Sequence, residues 1–349
     1  MTTAAPTRSL RTRLAQVAEL VATPLVPSDF VDLVAPLSNG TDLRARIESI
    51  TMETKDAATI ELRPGRRWRA HTPGQYVRIG VDVDGVRQWR AYSITSTTRR
   101  GFTITVKAIP DGVVSNYLVR RMRPGTVVQL DQATGEFVLP SELPRKALFV
   151  TAGSGITPVM GMLRSTSLED VVLVHSAPTS DDVIFAAELR ALASDGRIRL
   201  VEKHTDRDGM LSTAELQDLV PDLAEREAWA CGPAGMLDLL EAWWPGELRT
   251  ERFRPTITVT GEGGTVTYAR SGITVEADGA TPLLTTGEAA GVLMPSGCRM
   301  GICFGCVLPL REGAVRDLRT GAVTTAAVGD GVLIQTCISA PAGDCHLDV

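Results

Sequence analysis

From Leu43 to about Pro140, apolar and polar positions alternate in short runs: Ala45–Ile50, Thr59–Leu62, Tyr76–Val83, Phe102–Ala108 and Val127–Leu130. Pro-Gly, Asp-Gly and Arg-Gly turns separate them, and many short strands with such turns predict an antiparallel β-barrel over residues 41–141. From Lys146 the rhythm changes. Apolar runs at Ala147–Val150, Val171–His175, Ile198–Val201 and Ala228–Cys231 alternate with helical stretches. That pattern predicts a parallel α/β sheet over residues 142–253. Residues 254–264, rich in Pro, Thr and Gly, read as a linker, and residues 265–349 return to strands with one short helix at Pro282–Ala290. Ahead of everything, residues 1–40 read as a helical leader. Leu14, Val17, Ala18 and Val21 fall at helical spacing, and Ser28-Asp29 can cap a second short helix before Phe30, Leu33 and Val34. Packing of this leader on the main body is the plain reading, and docking to a membrane or partner the sharper one.

The chain has 349 residues, enough for two or three domains each with its own core, with 44% hydrophobic and 22% charged residues. Its formal charge of −5 argues against a nucleic-acid partner, which would need a net basic face. No apolar run is long enough to cross a bilayer, and the basic N-terminus lacks the apolar run and cleavage site of a secretory signal. A cytoplasmic location is expected, where cysteines serve more often as metal ligands or buried thiols than as disulfides.

Chemistry enters with the six cysteines. Cys298, Cys303 and Cys306 follow the spacing C-x4-C-x2-C, and Cys337 comes after a gap in Gln335-Thr-Cys337-Ile. This is the plant-type spacing for a 2Fe–2S cluster, in which a tight glycine-containing loop must converge three thiolates on one small centre. Structural zinc is the rival metal, but its cysteines usually come as two close pairs and only one such pair is present. Cys345 reads as a small buried hydrophobe.

Two further motifs fall in the α/β region. Gly153-Ser154-Gly155-Ile-Thr157-Pro158 follows the strand Ala147–Val150 and opens a helix, presenting N–H groups and a positive helix end to a diphosphate. A purely structural tight turn explains the same residues. At the end of a later strand stands Cys231-Gly232-Pro233, on the same C-terminal sheet edge where ligands of open α/β sheets collect. There a thiol can lie against a nicotinamide ring, or it can be an ordinary buried cysteine. In the barrel region, Arg90-Ala-Tyr92-Ser93 places Arg90 and Tyr92 on one face of a strand, and Lys107 is followed by Gly112-Val-Val114-Ser115, a glycine turn with a helix cap. R-x-Y-S taken alone also suits a polar strand edge.

Taken in order, R-x-Y-S, G-x-x-S, G-S-G-I-T-P and C-G-P resemble the ferredoxin–NADP reductase superfamily over residues 43–253, and the cysteine spacing resembles a plant-type ferredoxin over 263–349. The layout is similar to that of phthalate dioxygenase reductase, and most similar to actinobacterial reductases serving fatty-acyl desaturases. The resemblance implies a flavin-binding barrel, a nicotinamide-binding α/β domain and a β-grasp 2Fe–2S domain. It implies FAD held by Arg90, Tyr92, Ser93, Lys107, Gly112, Val114 and Ser115. NAD(P)H would lie along Gly153, Ser154, Gly155, Thr157 and Pro158, with Cys231, Gly232 and Pro233 at the nicotinamide. Ser93, Cys231, Glu251 and Phe253 would border the reacting rings, and Cys298, Cys303, Cys306 and Cys337 would ligate the cluster.

A two-electron hydride donor, a flavin that exchanges two electrons for one, and a one-electron cluster then form a chemically consistent series. NADPH is expected over NADH, because Lys203, His204 and Arg207 follow the strand Ile198–Val201 where related reductases read the 2′-phosphate. The expected acceptor is a terminal oxygenase, with a membrane di-iron fatty-acyl desaturase or hydroxylase first and a soluble Rieske oxygenase or cytochrome P450 second. Contact with the inner membrane face is expected through the leader, where Arg8, Arg11 and Arg13 precede its apolar face. A redox-sensing module without turnover is the rival class, and no effector-like segment accompanies it.

Overall fold

The computed structural model describes residue 37 and residues 43–349, apart from 84, 111 and 254–259. The leader, and most of the linker, therefore lie outside the described residues.

Six strands close the barrel: β1 (Arg44–Met52), β2 (Ala57–Pro64), β3 (Tyr76–Val83), β4 (Val86–Thr97), β5 (Phe102–Lys107) and β6 (Val127–Leu130), in the order β1-β2-β5-β4-β3-β6. Every pairing is antiparallel. Alternation works as the pattern predicts: Val77, Ile79 and Val81 of β3 point into a core with Ile47, Ile60, Ile94 and Ile104, while Tyr76, Arg78 and Gly80 take the other face. The sequence reading recognised β4 only around its R-x-Y-S segment, yet it is the longest barrel strand, at 12 residues.

Five strands form the parallel sheet: β7 (Lys146–Ala152), β8 (Asp170–Ala177), β9 (Arg199–His204), β10 (Glu227–Cys231) and β11 (Leu248–Glu251). Their order is β11-β10-β7-β8-β9. Sequence reading placed the first four and missed β11, whose four residues are all half-buried and carry no apolar run. Both faces are covered. Phe149, Leu173, Trp229 and Cys231 pack under the helices Ile156–Ser165 and Ala186–Ser194, whereas Leu148, Val150, Val172, Val174 and Ala230 pack under Thr213–Leu219 and Ala234–Trp243.

The helix Ile156–Ser165 is buried along nearly its whole length because it is wedged between this sheet and the barrel. Gly161 makes the fit, since a Cβ there would stand 2.3 Å from the carbonyl oxygen of Ile94 in β4. Arg164 closes the seam by donating to the carbonyl of Thr95 at 3.1 Å while pairing with Glu188.

The C-terminal unit is a mixed sheet of β12 (Gly264–Tyr268), β13 (Ile273–Ala277), β14 (Val307–Asp317), β15 (Val323–Ala326), β16 (Leu333–Gln335) and β17 (Ser339–Leu347). The order is β13-β12-β17-β14-β15, β16 pairs with β14, and only β12 and β17 run parallel. The helix Leu283–Ala289, within the span the sequence predicts, packs Leu283 and Leu284 on Val266, Tyr268 and Leu310 in the manner of a β-grasp. Cys345 is fully buried in that core, as expected of a hydrophobe. Among the described residues, no helix is long and apolar enough to cross a membrane.

Gly161→Ala should destabilise the barrel–sheet seam by about 1–3 kcal/mol, because the new methyl overpacks against backbone that cannot yield. A lower thermal midpoint by circular dichroism is the expected result. An unchanged midpoint would mean that the helix is not held against β4 as described.

Candidate active site at the junction of three units

A cleft of 2360 Å³ runs from β4 past the ends of the parallel sheet to the cysteine loop. Its volume exceeds the range usual for one small ligand. Strand β4 supplies one wall. Register with β3 sets Arg90 opposite Ile79, Tyr92 opposite Val77 and Ser93 opposite Tyr76. Arg90 donates to the carbonyl of Trp89 at 2.7 Å and to Gln88 Oε1 at 3.3 Å. Burial, and then repulsion from Arg299, lower its pKa to about 10. Glu288, the nearby acid, is already paired with Arg299. A cation so placed calls for an anionic ligand. Burial also pushes the Tyr92 phenol up, and the Ser93 hydroxyl is buried without a hydrogen-bond partner.

Lys107 and the segment Gly112–Ser115 border the same cleft. Lys107 is tied to Asp56 at 3.2 Å. The helix here is Val113–Asn116, so Ser115 lies inside it instead of capping it; its hydroxyl donates back to the carbonyl of Gly112 at 3.2 Å. Val114 is buried in the barrel core.

At the sheet edge the two glycine motifs meet. Strand β7 has β8 on one side and β10 on the other, so the strand order reverses between β7 and β10, and a ligand crevice opens there. Gly153 turns the chain with φ 53°, and Gly155 presses on the end of β10: a Cβ would stand 2.0 Å from the carbonyl oxygen of Cys231. The Thr157 hydroxyl donates to the carbonyl of Ser154 at 2.9 Å and Pro158 sits in the first helical turn, while Gly232 and Pro233 lead into the next helix. Cys231 is fully buried and its thiol is pushed up by that burial.

Across β10 and β11, Cys231 stands directly beside Glu251. Burial raises the Glu251 pKa to about 8, with a hydrogen bond from Ser93 working the other way; that contact is loose, since Glu251 Oε2 and Ser93 Oγ both lack a well-aligned partner. Phe253 follows, half-buried against the sheet core. Ser93, Cys231, Glu251 and Phe253, separated by up to 160 positions in sequence, are therefore gathered at one junction.

Sequence reasoning missed Tyr76. It lies opposite Ser93 and lines the cleft, and its pKa rises to about 12 through burial and the nearby charges of Cys298, Glu251 and Cys303. Not every expected residue joins the site. Lys203 is buried and held by both oxygens of Glu215 at 2.5 and 2.7 Å, so its ammonium is committed away from a phosphate. His204 pairs with Glu202 at 3.2 Å and the exposed Arg207 with Asp208 at 2.7 Å.

The four expected ligand cysteines stand as two pairs. Cys298 lies beside Cys303 and Cys337 beside Cys306, and the pairing pulls the Cys303 and Cys306 thiols below their ordinary range. The backbone N–H groups of Cys298 and Gly305 point at Cys303 Sγ, at 3.0 and 3.4 Å, and that of Met300 at Cys298 Sγ, at 3.3 Å. Arg299 and Phe304 adopt positive φ, 61° and 55°, which is the strain of folding backbone amides around a small centre. The arrangement as two facing cysteine pairs suits a binuclear centre.

Comparison with known proteins agrees with this geometry. Residues 44–139 match the oxidoreductase FAD-binding domain family, 149–241 the oxidoreductase NAD-binding domain family, and 266–342 the 2Fe–2S iron–sulfur cluster binding domain family. An NADPH oxidoreductase of Mycobacterium tuberculosis is 47% identical, over 96% of this chain and 92% of its own length. The chain belongs to the ferredoxin reductase family of flavin- and iron–sulfur-containing oxidoreductases. The NADH oxidoreductase HCR of Escherichia coli is 31% identical over 86% of this chain and 96% of its own length. The crystallised phthalate dioxygenase reductase shares the fold, with a TM-score of 0.60 at 22% identity over 88% of this chain and 98% of its own.

As a member of this family the chain takes FAD, NAD(P)H and a 2Fe–2S cluster. The residues present fit them. Arg90 offers a half-buried positive charge and Ser93 a buried hydroxyl in want of a partner, and the paired thiols with inward amides suit the cluster.

Glu251 gives the reductase a pH signature. Its folded pKa, about 8, lies above its ordinary 4.5, so the stability it contributes is complete below the lower value and is lost as pH rises through the higher. Glu251→Gln should therefore gain thermal stability relative to wild type between about pH 5 and about pH 8. A difference that stays constant over that range would contradict the burial of an ionisable Glu251.

Proposed function

We propose that this reductase carries electrons from NADPH through FAD and the 2Fe–2S cluster to a terminal oxygenase. The observation that carries the reading is the continuity of one cleft from Ser93 and Glu251 to Cys298 and Cys337. Relatives support the acceptor class: a glycine betaine monooxygenase reductase subunit of Pseudomonas aeruginosa is 28% identical over 79% of this chain and 86% of its own length, and the ferredoxin reductase component of a 3-ketosteroid-9-alpha-monooxygenase of Mycolicibacterium smegmatis is 28% identical over 86% and 95%. The expectation of a membrane desaturase or hydroxylase rests on the family resemblance and on residues 1–40, which are outside the described residues. The oxygenases named among the relatives favour the broader acceptor class. NADPH is preferred by the name of the mycobacterial relative, and the Escherichia coli relative carries the opposite name.

The bound cofactors supply hydride transfer and the conversion of two-electron to one-electron chemistry. The protein's part is placement. Arg90 neutralises the flavin's phosphate end, Tyr92 packs along the flavin, and Ser93 offers its hydroxyl to the ring. The amides of Gly112–Ser115 hold the pyrophosphate, and the turn Gly153–Thr157 takes the nicotinamide dinucleotide diphosphate. Cys231, Glu251 and Phe253 close the reacting rings off from water, which holds them in contact and keeps reducing equivalents from side reactions. With Lys203 committed to Glu215, His204 and Arg207, themselves paired with Glu202 and Asp208, are the basic side chains left near a 2′-phosphate. The modules are taken as 41–141, 142–253 and 265–349.

The test separates the modules. In Cys337→Ser the cluster's EPR signal should be lost, together with electron delivery to an oxygenase, while NADPH-dependent ferricyanide reduction persists. A variant that keeps full cluster signal and oxygenase turnover would refute the ligand assignment, and loss of ferricyanide reduction in folded, flavin-loaded protein would refute the site.

A further inference from the structure

One charged side chain of the barrel reaches the cysteine loop. Arg78 lies on the outer face of β3, two residues from Tyr76, and its guanidinium lies beside Cys303 Sγ. Its Nη1 sits in the crease of the loop: a Cβ placed on Gly297 would meet it at 3.1 Å, and one placed on Gly305 at 3.2 Å. The two glycines leave room for the guanidinium, since an added Cβ at either would crowd it. The side chain is also fixed from behind. It pairs with Asp131, whose own N–H donates to the Arg78 carbonyl at 3.1 Å, and it stacks over the Trp89 ring at 5.7 Å. Trp89 in turn lies flat across Gly80, where a Cβ would strike the indole at 2.9 Å.

We propose that Arg78 is a positioning residue for electron transfer from the flavin to the cluster. It latches the cysteine loop to the flavin barrel, and its charge raises the cluster's reduction potential. The inference rests on the assignment of Cys303 as a cluster ligand. The step adds one electron to the cluster, drawn from flavin that has taken two electrons as hydride from NADPH, so the cluster becomes one unit more negative. A guanidinium beside one of its ligand sulfurs stabilises that added charge, and charge and hydrogen bonding at the ligand sulfurs are among the factors that set such potentials. Asp131 holds the guanidinium in place, and the loop amides turn their positive ends to the same sulfur. A lysine cannot make the same fork, since it would carry charge without the planar pair of donors that bridges Asp131 and Cys303.

The experiment is an EPR-monitored redox titration of the cluster in purified holoprotein, with the flavin midpoint of the same sample as reference, for wild type, Arg78→Gln and Arg78→Lys. In Arg78→Gln the cluster midpoint should shift downward. In Arg78→Lys, where charge is kept and the fork lost, the midpoint should return towards wild type, but anaerobic flavin-to-cluster transfer should slow by about tenfold through looser positioning. An unshifted midpoint in a cluster-loaded Arg78→Gln protein would overturn the proposal. If that variant does not retain its cluster, Arg78→Lys decides alone, and unchanged transfer there would overturn it. Absence of a 2Fe–2S EPR signal from reduced wild type would instead fail the underlying ligand assignment.

Discussion

Strand β3 pairs with β4 so that Tyr76 stands opposite Ser93 and Arg78 opposite Ala91, and this register governs both ends of the cleft. The inner face, Val77, Ile79 and Val81, is buried in the barrel core, which pins the register, because a slip of one residue would turn those side chains out to solvent. Tyr76 and Arg78 are thereby directed outward together. Tyr76 lies beside the flavin-site hydroxyl of Ser93 and within range of the charge of Glu251, and Arg78 lies in the cysteine loop. Two residues of one strand thus span the gap between the site of hydride chemistry and the site of single-electron chemistry.

The nicotinamide side is held by a different constraint, close backbone approach. Gly155 rests on the Cys231 carbonyl and Gly161 on the Ile94 carbonyl, so the helix Ile156–Ser165 is pressed against both β10 and β4. One helix thereby sets the relation of the diphosphate turn to the flavin wall. The buried, unpaired hydroxyl of Ser93 and the Glu251 carboxyl raised to about 8 are local costs that a uniformly apolar junction would avoid. They are understandable as groups waiting for the flavin and nicotinamide rings.

Much of this was legible in the sequence where chemistry forces residues to be neighbours along the chain. The spacing Cys298, Cys303, Cys306 names the centre because a small cluster can only be wrapped by a short loop, and Gly153-Ser154-Gly155 with Cys231-Gly232 mark strand ends through turn chemistry. What was not legible depends on pairing between distant strands. Tyr76 and Arg78 look like ordinary outward residues of an alternating strand until the barrel closes and the third unit docks. Strand β11 carries no apolar run, and its place beside β10 comes from packing. Lys203 is expected at a phosphate from its closeness in sequence to the ligand edge, and in the fold its ammonium is paired with Glu215. Strand alternation held the signal: Lys203 shares a face with Val201, which packs against the sheet core, and Glu215 meets its ammonium there.

If the cysteine loop is docked on the flavin barrel of its own chain through Arg78 and its neighbours, electrons pass from flavin to cluster within one molecule. Anaerobic stopped-flow mixing with NADPH, following cluster reduction across a wide range of protein concentration, tests this directly. The rate should be independent of protein concentration. A rate that rises in proportion to it would show that the cluster is reduced by another molecule's flavin, and would contradict the shared cleft.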